Sequence, residues 1–455
     1  MGEGSTSESR LSLTLCMGFG IGSVGISILL NTVTTFFPTF MATVLGQSTA
    51  LAGLLLTLSK IYDIGADLVI GAASDRTRSR WGRRRPYLLA GMITASLSFL
   101  MIFFAPKVVG TALILYMAAA LVIYSTGYSL FAVPYIAMAG EMTDNYHERT
   151  RLFSYRVFFI AVGQTVSVAG TAALIEWAGG GRQGYAVMGA AMAMLVFLTM
   201  LLSFLGTRSA RQAQHFAPPV PMSLGTKLRL LSDNRPLLLL MGAKFAQYIS
   251  IAIFSGTKLL FMLNVLKLGY EGIIHLALAQ NIAGAVATPL FVKLGRRIGK
   301  RESYLIAISL LTIAYISWGF VTPNPQSWEV WWRGALAGVG GAGMTLMSIS
   351  MLPDTMEYDR LRSGGLRREG LFSSIYAIFE KLGYALGPLV IGAYLGLAGY
   401  ISTTDGTLVE QPAEVIRALY FGAAAIPSLL LGISAFLIWH YSLDEKALRE
   451  QRLSA

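Results

Sequence analysis

A single cysteine, Cys16, stands among the 455 residues, which excludes an intrachain disulfide and any cysteine-based metal site. The four histidines, His147, His215, His275 and His440, are scattered, and none has another at the i, i+3 or i, i+4 spacing by which a helix presents a metal pair. Charge is scarce too: Asp, Glu, Lys and Arg make up 13% of the chain, against about 25% in soluble domains. No G-x-x-x-x-G-K-[ST] stretch occurs, so ATP is not the energy source. The loops are too short for an enzyme domain and hold no Ser/His/Asp or paired-acid arrangement. No enzyme, no cofactor and no metal centre is expected.

What the chain has instead is apolar length. Hydrophobic residues reach 54% and mean hydropathy is +0.59, with 48 glycines of the kind that let helices approach closely in lipid. Twelve runs are long enough to cross about 30 Å of hydrocarbon, at approximately 14–44, 48–73, 86–105, 111–138, 153–178, 184–206, 236–262, 270–294, 303–322, 330–352, 371–398 and 414–441. The first is too long for a signal peptide, has no A-x-A-like cleavage site and is followed by many similar segments. The longest connection, 207–235, is basic and contains prolines, and it divides six spans from six. The expected fold is all-α and integral to the membrane, with a six-helix bundle over 1–206, a linker over 207–235 and a second bundle over 236–455.

Lysine and arginine gather in alternate loops, as in the block Arg76, Arg78, Arg80, Arg83, Arg84 and Arg85 after the second span, while Lys107, Arg182 and Lys267 stand isolated in the other loops. By the positive-inside rule both termini face the cytoplasm, and a bacterial inner membrane is the expected location. The net charge of +12 therefore belongs to the membrane surface, and nucleic acid is not an expected partner. The halves echo each other: "SDRTRSRWGRRRP" leaves the second span and "KLGRRIGKRES" the eighth, while "GEMTDNYHERTR" leaves the fourth and "LPDTMEYDRLRSGGLRREG" the tenth. Two repeats with matching charged exits imply a transporter that works by alternating access. Its partners are expected to be a small solute and membrane lipid, and its state a monomer.

The stretch "KIYDIGADLVIGAASDRTRSRWGRRRP", 60–86, is the most pointed. Asp63 and Asp67 are four apart, on one helical face with Cβ atoms about 6 Å from each other. Two buried carboxylates at that distance need a cation or a proton between them. Lys60 lies one turn before Asp63 and is a candidate fixed partner. The arginine block serves topology, and with Asp75 it is expected to form a gate at the cytoplasmic mouth; positive-inside charge without gating is the plainer reading. Pro134 and Pro388 are expected to bend the fourth and eleventh spans.

These stretches, with "GEMTDNYHERTRLFSYR" and "DTMEYDRLRSGGLRREGLFSSIYAIFEKLG", resemble the glycoside-pentoside-hexuronide:cation symporters of the major facilitator superfamily. The resemblance implies cation binding at Asp63 and Asp67, with Lys381 tied to the same site and a Tyr-Ser pair, Tyr128 and Ser129, beside it. It places Arg156, Tyr128 and Lys381 at the solute. Gating falls to Gly71, Asp75, Arg76, Arg80, Arg84, Glu141, Arg149, Asp354 and Arg368. Three departures matter. Galactoside-carrying members have acids where this chain has Gly25 and Ala132, and an asparagine of the sodium site is replaced by Ala66. With the side-chain amide gone, H⁺ is favoured over Na⁺ as the coupling ion, since sodium needs several oxygen ligands and a proton needs one carboxylate. With two cavity acids gone, an anionic solute such as a sugar acid is favoured over a neutral disaccharide. Arg156 is alternatively a residue that snorkels to the interface. Two further functions stand beside cation-coupled symport: movement of a lysophospholipid or other amphiphile on the same fold, and a receptor or structural protein that transports nothing.

Overall fold

The structure, a computed structural model, describes residues 11–143, 146–210, 234–362 and 369–443. Among the described residues, twelve helical stretches follow the apolar runs. α1 is Leu13–Thr43, α2 Thr49–Arg76, α3 Arg85–Phe103 and α4 Thr111–Met142. α5 is Tyr146–Thr165, continued through a π-helical turn at Val166–Gly170 into Thr171–Trp177, and α6 is Gly181–Gly206. α7 is Arg235–Asn264, α8 Gly269–Ile298, α9 Lys300–Ser317 with a 3-10 turn at Trp318–Phe320, α10 Ser327–Arg362 and α11 Glu369–Leu397. α12 begins at Ala413–Tyr420, passes a π-helical turn at Phe421–Ala425 and ends as Ile426–Trp439. Among the described residues the only β pairing is an isolated bridge between Leu45 and Thr404.

Eleven of these stretches are long and apolar enough to cross a membrane. α2 is the exception, its apolar run being interrupted by Lys60, Asp63 and Asp67. Several helices outrun their apolar segments at the charged ends: α10 reaches Arg362 rather than stopping near 352, and its last turns pair Arg360 with Glu357 at 3.5 Å. Pro134 and Pro388 lie inside α4 and α11.

The chain divides into two units, residues 1–33 with 62–218 and residues 34–61 with 219–455. In the first, α3 and α4 are pressed together at Gly127, where a Cβ would stand 2.5 Å from the backbone nitrogen of Ala95. Only glycine permits that approach, and close approach is what holds helices together where lipid offers no hydrophobic drive. In the second unit the end of α1 and the start of α2 join α11 and the loop after it. Thr57 Oγ1 donates to Ala385 O at 2.7 Å and Thr49 Oγ1 to Gly392 O at 3.1 Å. The loop returns backbone bonds, Thr403 N to Ala42 O at 2.8 Å and Gly406 N to Thr43 O at 2.9 Å. Residues 34–61 thus sit with the second unit, on the far side of the boundary that the linker suggests. Backbone bonds outweigh sequence order there.

Candidate functional site

Asp63 and Asp67 project from one face of α2, and Leu68 and Val69, 68% and 70% exposed, from the face turned outward. Asp63 is 2% exposed and Ser129 is fully buried. α4 brings Ser129 between the two acids: its Oγ lies 2.7 Å from Asp63 Oδ1 and 2.6 Å from Asp67 Oδ1. Beside them, the Tyr62 hydroxyl, one residue before Asp63, meets that of Thr126, one turn before Ser129, at 2.9 Å, fixing the register of α2 on α4. Tyr124, buried and close to Asp63, donates to Leu29 O of α1 at 2.8 Å.

A serine hydroxyl carries one proton. It donates to one of the two carboxylate oxygens, and the other contact, just as short, needs a proton supplied from the carboxyl side. Without one, two lone pairs would face each other at a distance where O–H···O bonds to a charged acceptor are normally found. The arrangement brings two acids onto one hydroxyl, where a shared proton would complete the second contact.

Tyr128 is half-buried beside Ser129. Lys60 is buried one turn before Asp63 on the same helix, and Lys381 is half-buried on α11 in the second unit. Arg156, on α5, hydrogen-bonds to the Tyr135 hydroxyl. Tyr135 is itself buried, donates to Phe19 O at 2.5 Å and lies 2.8 Å from Ser23 Oγ. Arg156 Nε is buried without a partner, and among the described residues no carboxylate pairs with this guanidinium. An arginine anchored on a buried tyrosine is turned inward and does not snorkel. Nothing in the sequence marks Tyr135 or Ser23 as its neighbours.

The gating residues separate into two groups. Glu141 Oε1 accepts from Arg83 Nη2 at 2.8 Å and from Arg84 Nε at 2.9 Å, while Arg84 also bonds Ser74 Oγ at 2.6 Å and pairs with Asp75. Arg83 was not singled out by sequence reasoning. Arg76 and Arg80 are exposed and, among the described residues, have no carboxylate partner; Arg80 instead lies 5.4 Å from the Trp81 ring. These two are surface charge, because the loop turns their side chains away from Glu141 and Asp75. Gly71 has room for a side chain, with a Cβ in ordinary contact 3.6 Å from Val133. In the second unit Lys300 Nζ holds Asp354 at 2.8 and 2.6 Å. The Arg149 side chain and Arg368 lie outside the described residues.

The second unit buries a further cation. Lys244 on α7, 1% exposed, donates to Ser348 Oγ at 2.9 Å and lies 4.3 Å from the Tyr248 ring and 5.7 Å from the Tyr376 ring, with Glu380 close enough to act on its charge. Two aromatic faces and a neutral hydroxyl receive this ammonium.

Comparison with known proteins follows the same lines. A family model described as MFS/sugar transport protein matches residues 18–445. A glucuronide carrier protein homolog of Escherichia coli strain K12 is 30% identical, covering 97% of this chain and 95% of its own. An isoprimeverose transporter of Lactiplantibacillus pentosus is 24% identical over 94% of this chain and 88% of its own. Among solved structures, a bacterial homologue of the human drug peptide transporters superposes with a TM-score of 0.70 at 14% identity, covering 97% of this chain and 99% of that one. That likeness concerns the fold.

Proposed function

We propose, on the premise that the chain belongs to the MFS/sugar transport protein family and within it to the glycoside-pentoside-hexuronide:cation symporters, that it imports a sugar acid or related anionic glycoside together with H⁺. The observation that carries the reading is the Ser129 hydroxyl between Asp63 and Asp67, which needs one more proton than the serine owns. A proton satisfies that demand with no further ligands, whereas Na⁺ requires several oxygens, and Ala66 offers none from its side chain.

In this mechanism the acid pair is loaded from outside, the solute binds, and the loaded carrier turns to the cytoplasm, where both leave. Loss of the proton leaves the pair more negative by one charge until the next proton arrives. The solute's acid group is met by Arg156, whose planar fork matches a carboxylate or sulfonate; Tyr128 lines the same route. The name of the glucuronide carrier relative fits an acidic sugar, and that of the isoprimeverose transporter a neutral one. The inward tilt of Arg156 toward Tyr135, with no carboxylate partner among the described residues, favours the acid. The arginine-rich loops and both termini face the cytoplasm of a bacterial inner membrane, where Arg83 and Arg84 with Glu141, and Lys300 with Asp354, hold each unit's exit in one state of the cycle.

Uptake into proteoliposomes tests the reading. With a panel of labelled sugar acids and neutral glycosides, accumulation should follow an inward proton gradient, collapse with a protonophore and ignore a sodium gradient at constant pH. Ser129→Ala should abolish accumulation while Ser129→Thr, which keeps the hydroxyl, should retain most of it. Sodium-driven uptake that survives the protonophore would overturn the proton assignment.

A further inference from the structure

At the end of the first unit that carries the arginine block, a small recess, partly open to solvent, is lined by Trp81, Arg83, Arg84, Arg85, Glu141 and Thr207 among others. Arg85 is 8% exposed. Its guanidinium lies 4.2 Å from the centre of the Phe204 ring, and its Nη1 is buried with no hydrogen-bond partner. Leaving such a donor without an acceptor is expensive. Arg208 stands near enough to add to the local potential. Among the described residues that line the recess, Arg83, Arg84 and Arg85 face one carboxylate, Glu141, which Arg83 and Arg84 engage. The recess keeps an excess of two positive charges.

Two more features point at the same spot. α3 starts here with Arg84 at its N-cap position and no side-chain cap, so the positive end of its dipole lies at the recess. Beside Phe204, the α6 surface is apolar and open, with Leu202 and Leu205 50% and 53% exposed, and Trp81, 43% exposed, stands at the rim. An acidic headgroup above and acyl chains alongside suit that combination of an aromatic at the interface and leucines below it.

We infer that this recess binds the phosphate of an anionic ligand through Arg85, and that the ligand is the headgroup of an anionic phospholipid. A free phosphate would satisfy the same nitrogens, but it would have no use for the apolar wall of α6. The site is separate from the acid pair on α2 and stands whether or not the chain carries a sugar acid.

Delipidated full-length protein in detergent, examined by native mass spectrometry, tests it with three probes: phosphatidylglycerol, phosphatidylcholine and inorganic phosphate. Phosphatidylglycerol should be retained in preference to phosphatidylcholine, and Arg85→Gln should weaken its retention by about tenfold, as expected for one charge-assisted fork. Arg85→Lys should fall between the two. Arg85-dependent binding of inorganic phosphate without discrimination between the lipids would keep the phosphate site and overturn the lipid as its source. Equal retention of phosphatidylglycerol by wild type and Arg85→Gln overturns the site. A second measurement needs no change at Arg85: brominated phosphatidylglycerol should quench a component of the tryptophan fluorescence that disappears in Trp81→Phe, and brominated phosphatidylcholine should not. Identical quenching of the wild type and Trp81→Phe would likewise overturn the lipid assignment.

Discussion

Lys300 holds both carboxylate oxygens of Asp354, with Nζ at 2.8 Å from Oδ1 and 2.6 Å from Oδ2, and adds a bond to Ser350 O at 2.9 Å. The pair ties the first residue of α9 to α10, as Arg83 and Arg84 with Glu141 tie the entry of α3 to α4. The two halves of the chain thus carry ion pairs of the same polarity at equivalent places, basic at the start of α3 or α9 and acidic near the end of α4 or α10.

Exchanging the second pair should reveal whether it works in the cycle. Lys300→Asp alone and Asp354→Lys alone should each slow uptake by about tenfold, and the double exchange should recover most of that loss, an interaction within the range of paired contacts. Stability should move by less than about 1 kcal/mol, since both side chains are partly exposed. A double exchange no better than the single changes would show that the pair is passive.

Asp67→Asn should leave a folded carrier that still exchanges labelled solute across the membrane but no longer concentrates it. The amide can satisfy Ser129 but cannot release a proton. Solute counterflow and gradient-driven uptake separate the two behaviours, and intact uphill accumulation would sink the coupling role. Asp63→Asn should show the same split.

Arg156→Lys keeps the charge and removes the fork, so uptake of an acidic solute should fall by about tenfold or more. Direct binding to the purified protein provides the check: a neutral glycoside bound equally well by both forms, with no anionic analogue bound by either, would dismiss the anionic substrate.

Gly127→Ala introduces a methyl group 2.5 Å from the Ala95 nitrogen, and backbone cannot yield as a side-chain tip does. Separation of α3 from α4 should lower stability by about 1–3 kcal/mol, the usual effect of overpacking. Because α4 also carries Ser129, thermal denaturation should shift to lower temperature together with a loss of coupled uptake. An unchanged melting curve would mean that the helices separate freely.

Much of this architecture is legible in the sequence for one reason: hydrocarbon imposes a length, and apolar runs obey it. The span starts at 86, 111 and 270 fall within a residue of where α3, α4 and α8 begin. Spacing also exposes Asp63 and Asp67, because a four-residue interval on a helix means one face. What spacing does not contain is the partner across a helix interface. Tyr135 under Arg156 and Tyr248 and Tyr376 around Lys244 come from apolar helices whose composition is nearly uniform around the axis, so no periodicity singles out the inward face. The loop arginines show the converse limit. Composition treats all six alike, yet only backbone direction decides that Arg83 and Arg84 reach Glu141 while Arg76 and Arg80 face water.

The bonds from residues 42–49 to the end of α11 and its following loop reach across 343 positions for Thr49 and Gly392 and 360 for Thr43 and Thr403. During synthesis the first hairpin leaves the ribosome long before its counterpart exists. At ordinary elongation rates the wait is on the order of 20–70 s. Through that interval the threonines and carbonyls of 42–57 have no mates, in a segment already delivered to the bilayer. The last stretch of translation therefore closes the oldest part of the chain, and a message truncated before codon 392 would leave its opening hairpin unfinished, a ready substrate for membrane quality-control proteases.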